Sequence, residues 1–393
     1  MDIFNWLCEP ALRGITQRGI GVDVPGYVER FGWDGSRLDP GFKRVRVTAR
    51  QCYVFSHAAI GGMEGALEAA RMGADLLLQR GIRDDGQFVS RFASDGTVLD
   101  PATDLYDVAF GLFAMAWWYR VSGDERAVVA AQRSIVHLRE DLRSPSGRGY
   151  LAREGDAGPH QQNPHMHLFE AAIFLAAFTG KAEFAELADE LFGLAEAALF
   201  DVESGTLAEF FDADWRRGGA AGPARIEPGH HYEWVWLLNR YGALAGRQRA
   251  FEIADRLFDF ARAYGHDEGR TGLIVDAVDE NGAVLQSDLR IWPNLEYLKA
   301  LVSMRERHGD GAHWDEDVVE ATVRRIHAYF LTRQADGPAS VLPDGLWIDY
   351  LDGVSLKPKG DHVPASTLYH IMFAFTELLR HRAGHEAFSG KPW

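Results

Sequence analysis

The chain has 393 residues, 47% of them hydrophobic and 25% charged, an ordinary globular make-up with ample length to bury a core. Its 57 acids against 41 bases leave a formal charge of −16, which disfavours polyanionic partners, so no nucleic acid and no anionic membrane surface is expected. Two cysteines, Cys8 and Cys52, exclude a disulfide framework and a CxxC zinc site.

The N-terminal Met-Asp-Ile-Phe-Asn-Trp has neither the basic nor the apolar region of a signal peptide. The longest apolar run, Val108 to Tyr119, falls short of the roughly 20 residues of a membrane span. A soluble, cytoplasmic protein is expected.

In chain order, one pattern recurs: a glycine, alternating apolar residues, then an Asp-Gly or Asn-Gly turn, the signature of a hairpin. It opens at Gly26 with Asp34-Gly35, at Gly86 with Asp95-Gly96, weakly at Gly149 and Gly205, at Gly272 with Asn281-Gly282, and at Gly345 with Asp352-Gly353. Between these glycines the apolar period turns helical. Leu67, Ala70, Ala74, Leu77 and Leu78 mark one amphipathic helix, and helix pairs follow at 104–121 with 124–140, 165–178 with 182–199, 231–245 with 248–263 and 291–307 with 315–332. One helix of a pair is apolar nearly all round and therefore buried, whereas its partner has a charged face for water. Six such units predict a closed all-α toroid, an (α/α)6 barrel with the hairpins collected at one mouth, built as a single domain over residues 1–393. The alternative is an open solenoid, which would need polar end repeats; neither terminal repeat is more polar than the middle ones.

Some 18 to 25 residues after each hairpin glycine, near the start of the buried helix, stands a residue unusual for such a helix: Arg50, Tyr106, His167, His230, Arg290 and His370. Any one of them has a plain structural reading as a cap, a satisfied core group or an ion pair. Ring closure would bring all six to one rim. Glu233 follows His230 by three residues, on the same helix face, where a carboxylate would fix the ring's tautomer and raise its basicity. His165 and His167 do not align for a metal, and the rim reads as rich in histidine and poor in carboxylates, so no metal is expected.

These stretches carry a resemblance. Lys43 to Phe55, Asn163 to Glu170, Arg225 to Trp234 with its Pro-Gly-His-x-x-Glu-Trp string, Arg290 to Glu296 with Trp-Pro-x-x-Glu, and Tyr369-His370 together resemble the N-acylglucosamine 2-epimerase superfamily. The Arg-x-x-x-x-Tyr-x-Phe pattern and Asn163 to His167 look closest to its mannose and sulfoquinovose isomerases. The resemblance implies an (α/α)6 barrel without metal or cofactor, acting on reducing sugars by proton transfer at C2. It implies His230 and His370 as the catalytic pair, Arg50, Tyr106, Asn163, His167 and Glu233 as lining the sugar pocket, and Trp292 on its rim.

The residue types suit that chemistry independently. The hydrogen at C2 of an open aldose becomes removable once the C1 carbonyl is polarised, and histidine titrates near neutrality. Arg50 and a protonated His230 can stabilise an enediolate, and Trp292 offers a flat apolar face. The expected reaction is aldose–ketose isomerisation, D-mannose to D-fructose first, with His370 as base. The alternatives are a 2-epimerase of glucose/mannose or N-acylglucosamine/N-acylmannosamine, which needs two bases, and a glycoside hydrolase on the same barrel. For that hydrolase Asp349, Asp352 and Asp361 are candidates, although turn and cap chemistry is their plainer reading. The partner is a small monosaccharide, and the protein a monomer or homodimer.

Overall fold

The computed structural model describes residues 26–156, 159–217, 224–311, 313–331, 342–343 and 345–388. The N-terminal segment with Cys8 lies outside them.

Eleven α-helices are present among the described residues: α1 (Val45–Ile60), α2 (Ala66–Leu76), α3 (Leu105–Ser122), α4 (Glu125–Asp141), α5 (Gln162–Thr179), α6 (Ala182–Leu194), α7 (Pro228–Ala245), α8 (Gln248–Tyr264), α9 (Ile291–His308), α10 (Glu316–Ile326) and α11 (Leu368–Arg382). The odd-numbered six are buried along nearly their whole length, and α2, α4, α6, α8 and α10 bury one face only. The described residues thus hold six inner and five outer helices; a sixth outer helix is not among them. Helix-to-helix turns are set by glycines at positive φ after α3, α5 and α7, namely Gly123, Gly180 and Gly246, and Asp124 then caps α4.

Each inner helix packs on the next, and α11 packs back on α1, which closes the ring. The mouth shows the same closure in hydrogen bonds. The backbone just before each inner helix pairs with a strand or bridge of the following repeat: Arg44 with Arg91, Asp104 with Arg153, Gln161 with Phe210, Ile226 with Val278, Arg290 with Tyr350 and, across the seam, Pro364 with Arg30. The open solenoid is therefore excluded. The hairpins themselves are shorter than the alternating pattern suggests. Strands β1 (Arg30–Phe31) and β2 (Arg37–Leu38), β3 (Arg91–Ala93) and β4 (Val98–Asp100), and β5 (Val275–Val278) and β6 (Val284–Arg290) pair about three of the four expected Asp-Gly or Asn-Gly turns. At Gly149 only one bridge forms, and near Gly345 the strand is just Tyr350–Leu351.

All six register glycines have positive φ. Gly86 shows why no other residue serves: at φ +89° a Cβ there would lie 2.4 Å from the Arg133 carbonyl oxygen.

Aromatic rings fill the axis below the mouth, with Tyr53 on Phe113 at 4.8 Å, Trp117 on Phe174 at 5.2 Å and Trp236 on Phe373 at 4.8 Å between centroids. Beneath them the buried carboxylate of Glu377 takes Arg240 at 2.6 Å and Arg380 at 2.9 Å. The ring is thus a plugged barrel with one open end. No described helix is long and apolar enough to cross a membrane.

Candidate active site

Because every inner helix starts at the same mouth, residues from the first two turns of all six line one cavity of about 340 Å³. It is lined by all eight sequence-derived site residues, Arg50, Tyr106, Asn163, His167, His230, Glu233, Trp292 and His370, and by Arg290 of the register set. Six helix N-termini directed at one space each add a partial positive charge at their first turn, which suits locally developing negative charge.

His370 is the third residue of α11. Its Nδ1–H donates to Glu296 Oε1 at 2.7 Å, which leaves Nε2 as the free ring nitrogen. Burial, with Arg50 and Lys299 nearby, outweighs the help of Glu296 and pulls the imidazole down to about 4. His370 is therefore neutral at pH 7. His230, third residue of α7, is the opposite case. Its Nδ1–H donates to Glu209 Oε1 at 2.9 Å, and Glu227 stands 3.7 Å away. Burial disfavours the imidazolium, but the charge and hydrogen bond of Glu209, with Glu227 behind it, raise His230 to about 9. Trp292 lies between the two, its ring 4.8 Å from His230 and 5.7 Å from His370.

The carboxylate of His230 is thus Glu209, not Glu233 as helix spacing suggested. Glu233 points the other way around α7, 3.7 Å from His167 Nδ1, because the axial face of an inner helix turns toward the barrel centre. Glu209 immediately precedes the short strand Phe210–Phe211, and no helical period connects it to His230.

The site is also far from poor in carboxylates. Glu170, Glu233 and Glu296 sit at its floor around one lysine, Lys299, which is wholly buried, 2.8 Å from Glu296, and lies over Trp236 and Phe373 at 4.5 and 4.1 Å. Burial opposes ionisation of Glu296, but Lys299 and His370 hold it ionised, down to about 2. With that charge taken, burial lifts Glu170 to about 7 and Glu233 well above the usual carboxylate range, each pushed further by Glu296. Two groups, His167 with Glu170 and Glu233, and Glu233 with Glu296 and His370, have ligand atoms within 4.8 Å of one another. Metal-ligand spacing therefore exists here, around Glu170 and Glu296, which the sequence reading left out of the site. The buried ammonium of Lys299 supplies the positive charge these carboxylates need.

Arg50 donates to the Tyr106 hydroxyl at 2.8 Å and stacks on Phe110 and Tyr369. Tyr369 in turn donates to Glu170 at 2.6 Å, beside His167. His167 is held neutral by burial and by the charges of Arg50 and His230. Several buried polar atoms around the cavity have no hydrogen-bond partner among the described residues: Arg50 Nε, Asn163 Oδ1 and both oxygens of Glu233. Such atoms are costly to leave unpaired and are open to the hydroxyls of a polyol. Arg290 is committed to Asp276 and, at 3.1 Å, to Glu227.

Two other histidines are structural. His165 and His231 are each the fourth residue of their inner helix, and each accepts a backbone N–H near the register glycine, from Tyr150 and Leu207 respectively, both at 3.0 Å. Asn294, fourth in α9, does the same for Ile274 at 3.1 Å. Asp352 accepts turn N–H groups and Asp361 is exposed beside His362, as turn chemistry predicts. Asp349 lines the cavity, tied to Thr367 at 2.5 Å. Thr367 makes that bond and gives α11 no side-chain cap.

The sequence matches the N-acylglucosamine 2-epimerase (GlcNAc 2-epimerase) family over residues 26–374. This chain belongs to that family. It is 32% identical over 387 residues to a mannose-6-phosphate isomerase of Rhizobium meliloti strain 1021, with 96% of each chain covered. It is 28% identical to a D-mannose isomerase of Thermobifida fusca, covering 79% of this chain and 80% of the other. A crystal structure of a D-mannose isomerase superposes with a TM-score of 0.83 at 22% identity, covering 96% and 97% of the two chains, which shows the shared barrel. Membership of this family fits an enzyme of the sugar isomerase or 2-epimerase kind.

Proposed function

We propose that the protein interconverts D-mannose and D-fructose through an enediolate, with His370 as the base and His230 as the acid. The observation that carries this reading is the opposite protonation of two histidines on one cavity, each fixed by its own carboxylate. A neutral imidazole and an imidazolium are what a proton shuttle between adjacent carbons requires at neutral pH.

In this reading His230 protonates the ring oxygen as the sugar opens, takes up the proton that O1 loses as the C1 carbonyl forms, and then hydrogen-bonds O1. His370 Nε2 takes the C2 proton, the C2–H electrons form the C1–C2 double bond, and the carbonyl electrons go to O1, which takes the His230 proton. Arg50 and the helix N-termini stabilise the negative charge as it develops. His370 then returns its proton to C1, while the O2 proton passes to His230 as the C2 carbonyl forms. No proton is gained or lost over the cycle. A 2-epimerase would return the proton to C2 from the opposite face, and the neutral His167 is the second base available for that outcome.

The substrate is proposed to be the free sugar. Glu209, Glu227, Glu233 and Asp349 line the cavity, and Arg290 is committed to carboxylates, so little there would welcome a phosphate. Incubation with mannose, monitored by NMR, tests the reading. Fructose signals are expected, with kcat/KM higher on mannose than on mannose 6-phosphate. Glucose as the first product would instead mark an epimerase, and equal or better turnover of the phosphate ester would refute the assignment of a neutral substrate.

A further inference from the structure

A second cavity, of about 380 Å³, lies on the outside of the ring between α8, α9 and α10, beside the Gly272 hairpin. Its walls include Arg262, Arg325, His266, His313 and Tyr297. Four of these five side chains carry or can take a positive charge, in a protein whose formal charge is −16. The one acid on the rim is Glu268.

Neither arginine has an ion pair or hydrogen bond to another described residue. Arg262 Nε is shielded from solvent and unpartnered. Arg325 lies against Gly272, where a Cβ would come within 3.0 Å of its Nε. The preceding repeat supplies an internal comparison. Arg256 lies against the register glycine Gly205 in the same way, but its Nη2 donates to the Val202 carbonyl at 2.9 Å. The same fold position is thus satisfied in one repeat and left open in the next. Both open guanidiniums are near enough to Tyr297 and His266 to act on them electrostatically. His266 is itself held by the Tyr232 hydroxyl at 2.8 Å, so its ring is fixed at the wall of the pocket.

We infer that this outer pocket binds a small oxyanion ligand, a phosphoryl or carboxylate group gripped between the forks of Arg262 and Arg325. Two guanidiniums on one cavity offer the forked donors that match the planar acceptor geometry of such groups, and the cavity has room for the rest of a small metabolite. The site is separate from the proposed sugar cavity and does not depend on that reading.

Thermal-shift titrations with inorganic phosphate and with citrate, ionic strength held constant with chloride, test the inference and tell the two head groups apart. Wild-type protein should show a saturable rise in Tm with at least one probe. Arg262→Gln and Arg325→Gln should each weaken the apparent Kd about tenfold or more, the loss expected for a charge-assisted hydrogen bond. Arg325→Lys, which keeps the charge and loses the fork, should weaken it less. Both arginines are only half-buried, and circular dichroism would establish that the variants are folded. Turnover of sugar in phosphate-free buffer should be unchanged in all three variants. No saturable shift in wild type with either probe, or variant titrations that superimpose on the wild-type curve, would overturn the inference.

Discussion

Replacing Glu209 by glutamine should separate the acid of the pair from its source of charge. The amide oxygen can still accept the His230 Nδ1–H, so the ring keeps its place while the negative charge disappears. Burial, the largest influence on His230, is unchanged and favours the neutral ring. Glu227 remains 3.7 Å away, but its charge is shared with Arg225 at 3.0 Å and Arg290 at 3.1 Å. His230 should therefore fall from about 9 to the ordinary 6.5 or lower. That drop is at least ~2.5 units, or roughly 3.4 kcal/mol of lost preference for the imidazolium. At pH 7.5 the protonated fraction then falls from about 97% to at most about 9%, so kcat/KM should drop about tenfold, whereas at pH 5.5 it should stay near wild type.

The assay is a kcat/KM profile for mannose from pH 4.5 to 10. Wild type should show a plateau bounded by His370 near 4 and His230 near 9. The variant's basic limb should move down by about 2.5 units. Stability should follow the same group. A folded-state pKa raised above 6.5 contributes stability that is fully present below pH 6.5 and is lost as the pH rises through about 9. Wild-type Tm should therefore decline across that window more steeply than the variant's. A basic limb still near 9 in Glu209→Gln, or turnover as low at pH 5.5 as at pH 7.5, would refute the pairing as the origin of the acid.

His370→Asn should bind sugar normally yet lose roughly 10²- to 10⁴-fold in turnover, together with exchange of the C2 hydrogen into solvent deuterium; turnover within a few-fold of wild type would move the base to His230 or His167. Exhaustive EDTA treatment should leave activity intact, since Lys299 already compensates the buried carboxylates, and loss restored by one divalent ion would contradict that account. Gly86→Ala should cost about 2 kcal/mol or more in urea unfolding, because strain at φ +89° adds to a clash with the Arg133 carbonyl. Gly123→Ala, at φ +70° with open space around it, should cost about 1 kcal/mol, and equal losses would show that the clash is relieved by a backbone shift.

Much of this could be read from the chain because repeats amplify weak signals. A histidine at a helix start is ambiguous once, but six unusual residues in register define a rim, and Arg50, Tyr106, His167, His230, Arg290 and His370 do line one cavity. Helix ends marked by αL glycines and Asp caps were within a few residues because that chemistry is local, whereas the expected 182–199 and 315–332 overran α6 and α10, each of which passes into a π turn after Leu194 and Ile326. What the sequence hid depends on contacts far apart in the chain. Glu209 reaches His230 across 21 residues from outside any helix, and Glu296 reaches His370 across 74. Glu296 stood within a conspicuous Trp-Pro-x-x-Glu string, yet nothing local says which histidine it serves. Lys299, three residues on, is also invisible as a site residue, because a lysine on a helix normally reads as a solvated face. The His165 and His231 staples could have been found: both occupy the fourth position of their helix, a regularity of structure rather than of chemistry.

The two central histidines have much in common. Each is the third residue of a buried helix, each is almost sealed from solvent, and each donates Nδ1–H to a glutamate. They differ in what else sees that glutamate. Glu209 and Glu227 face His230 as two negative charges against one imidazole, and the proton stays. Glu296 faces His370 with its charge already matched by Lys299, while Arg50 adds positive charge from the neighbouring repeat across the seam. In that environment a second positive charge on the ring is unfavourable, and His370 remains a free base. Lys299 thus does for His370 what removing Glu209 would do for His230: it withdraws the negative charge that would otherwise hold a proton. The division into acid and base therefore lies in the charges one residue beyond each ring, and ring closure is what brings α9, α11 and α1 close enough to set it.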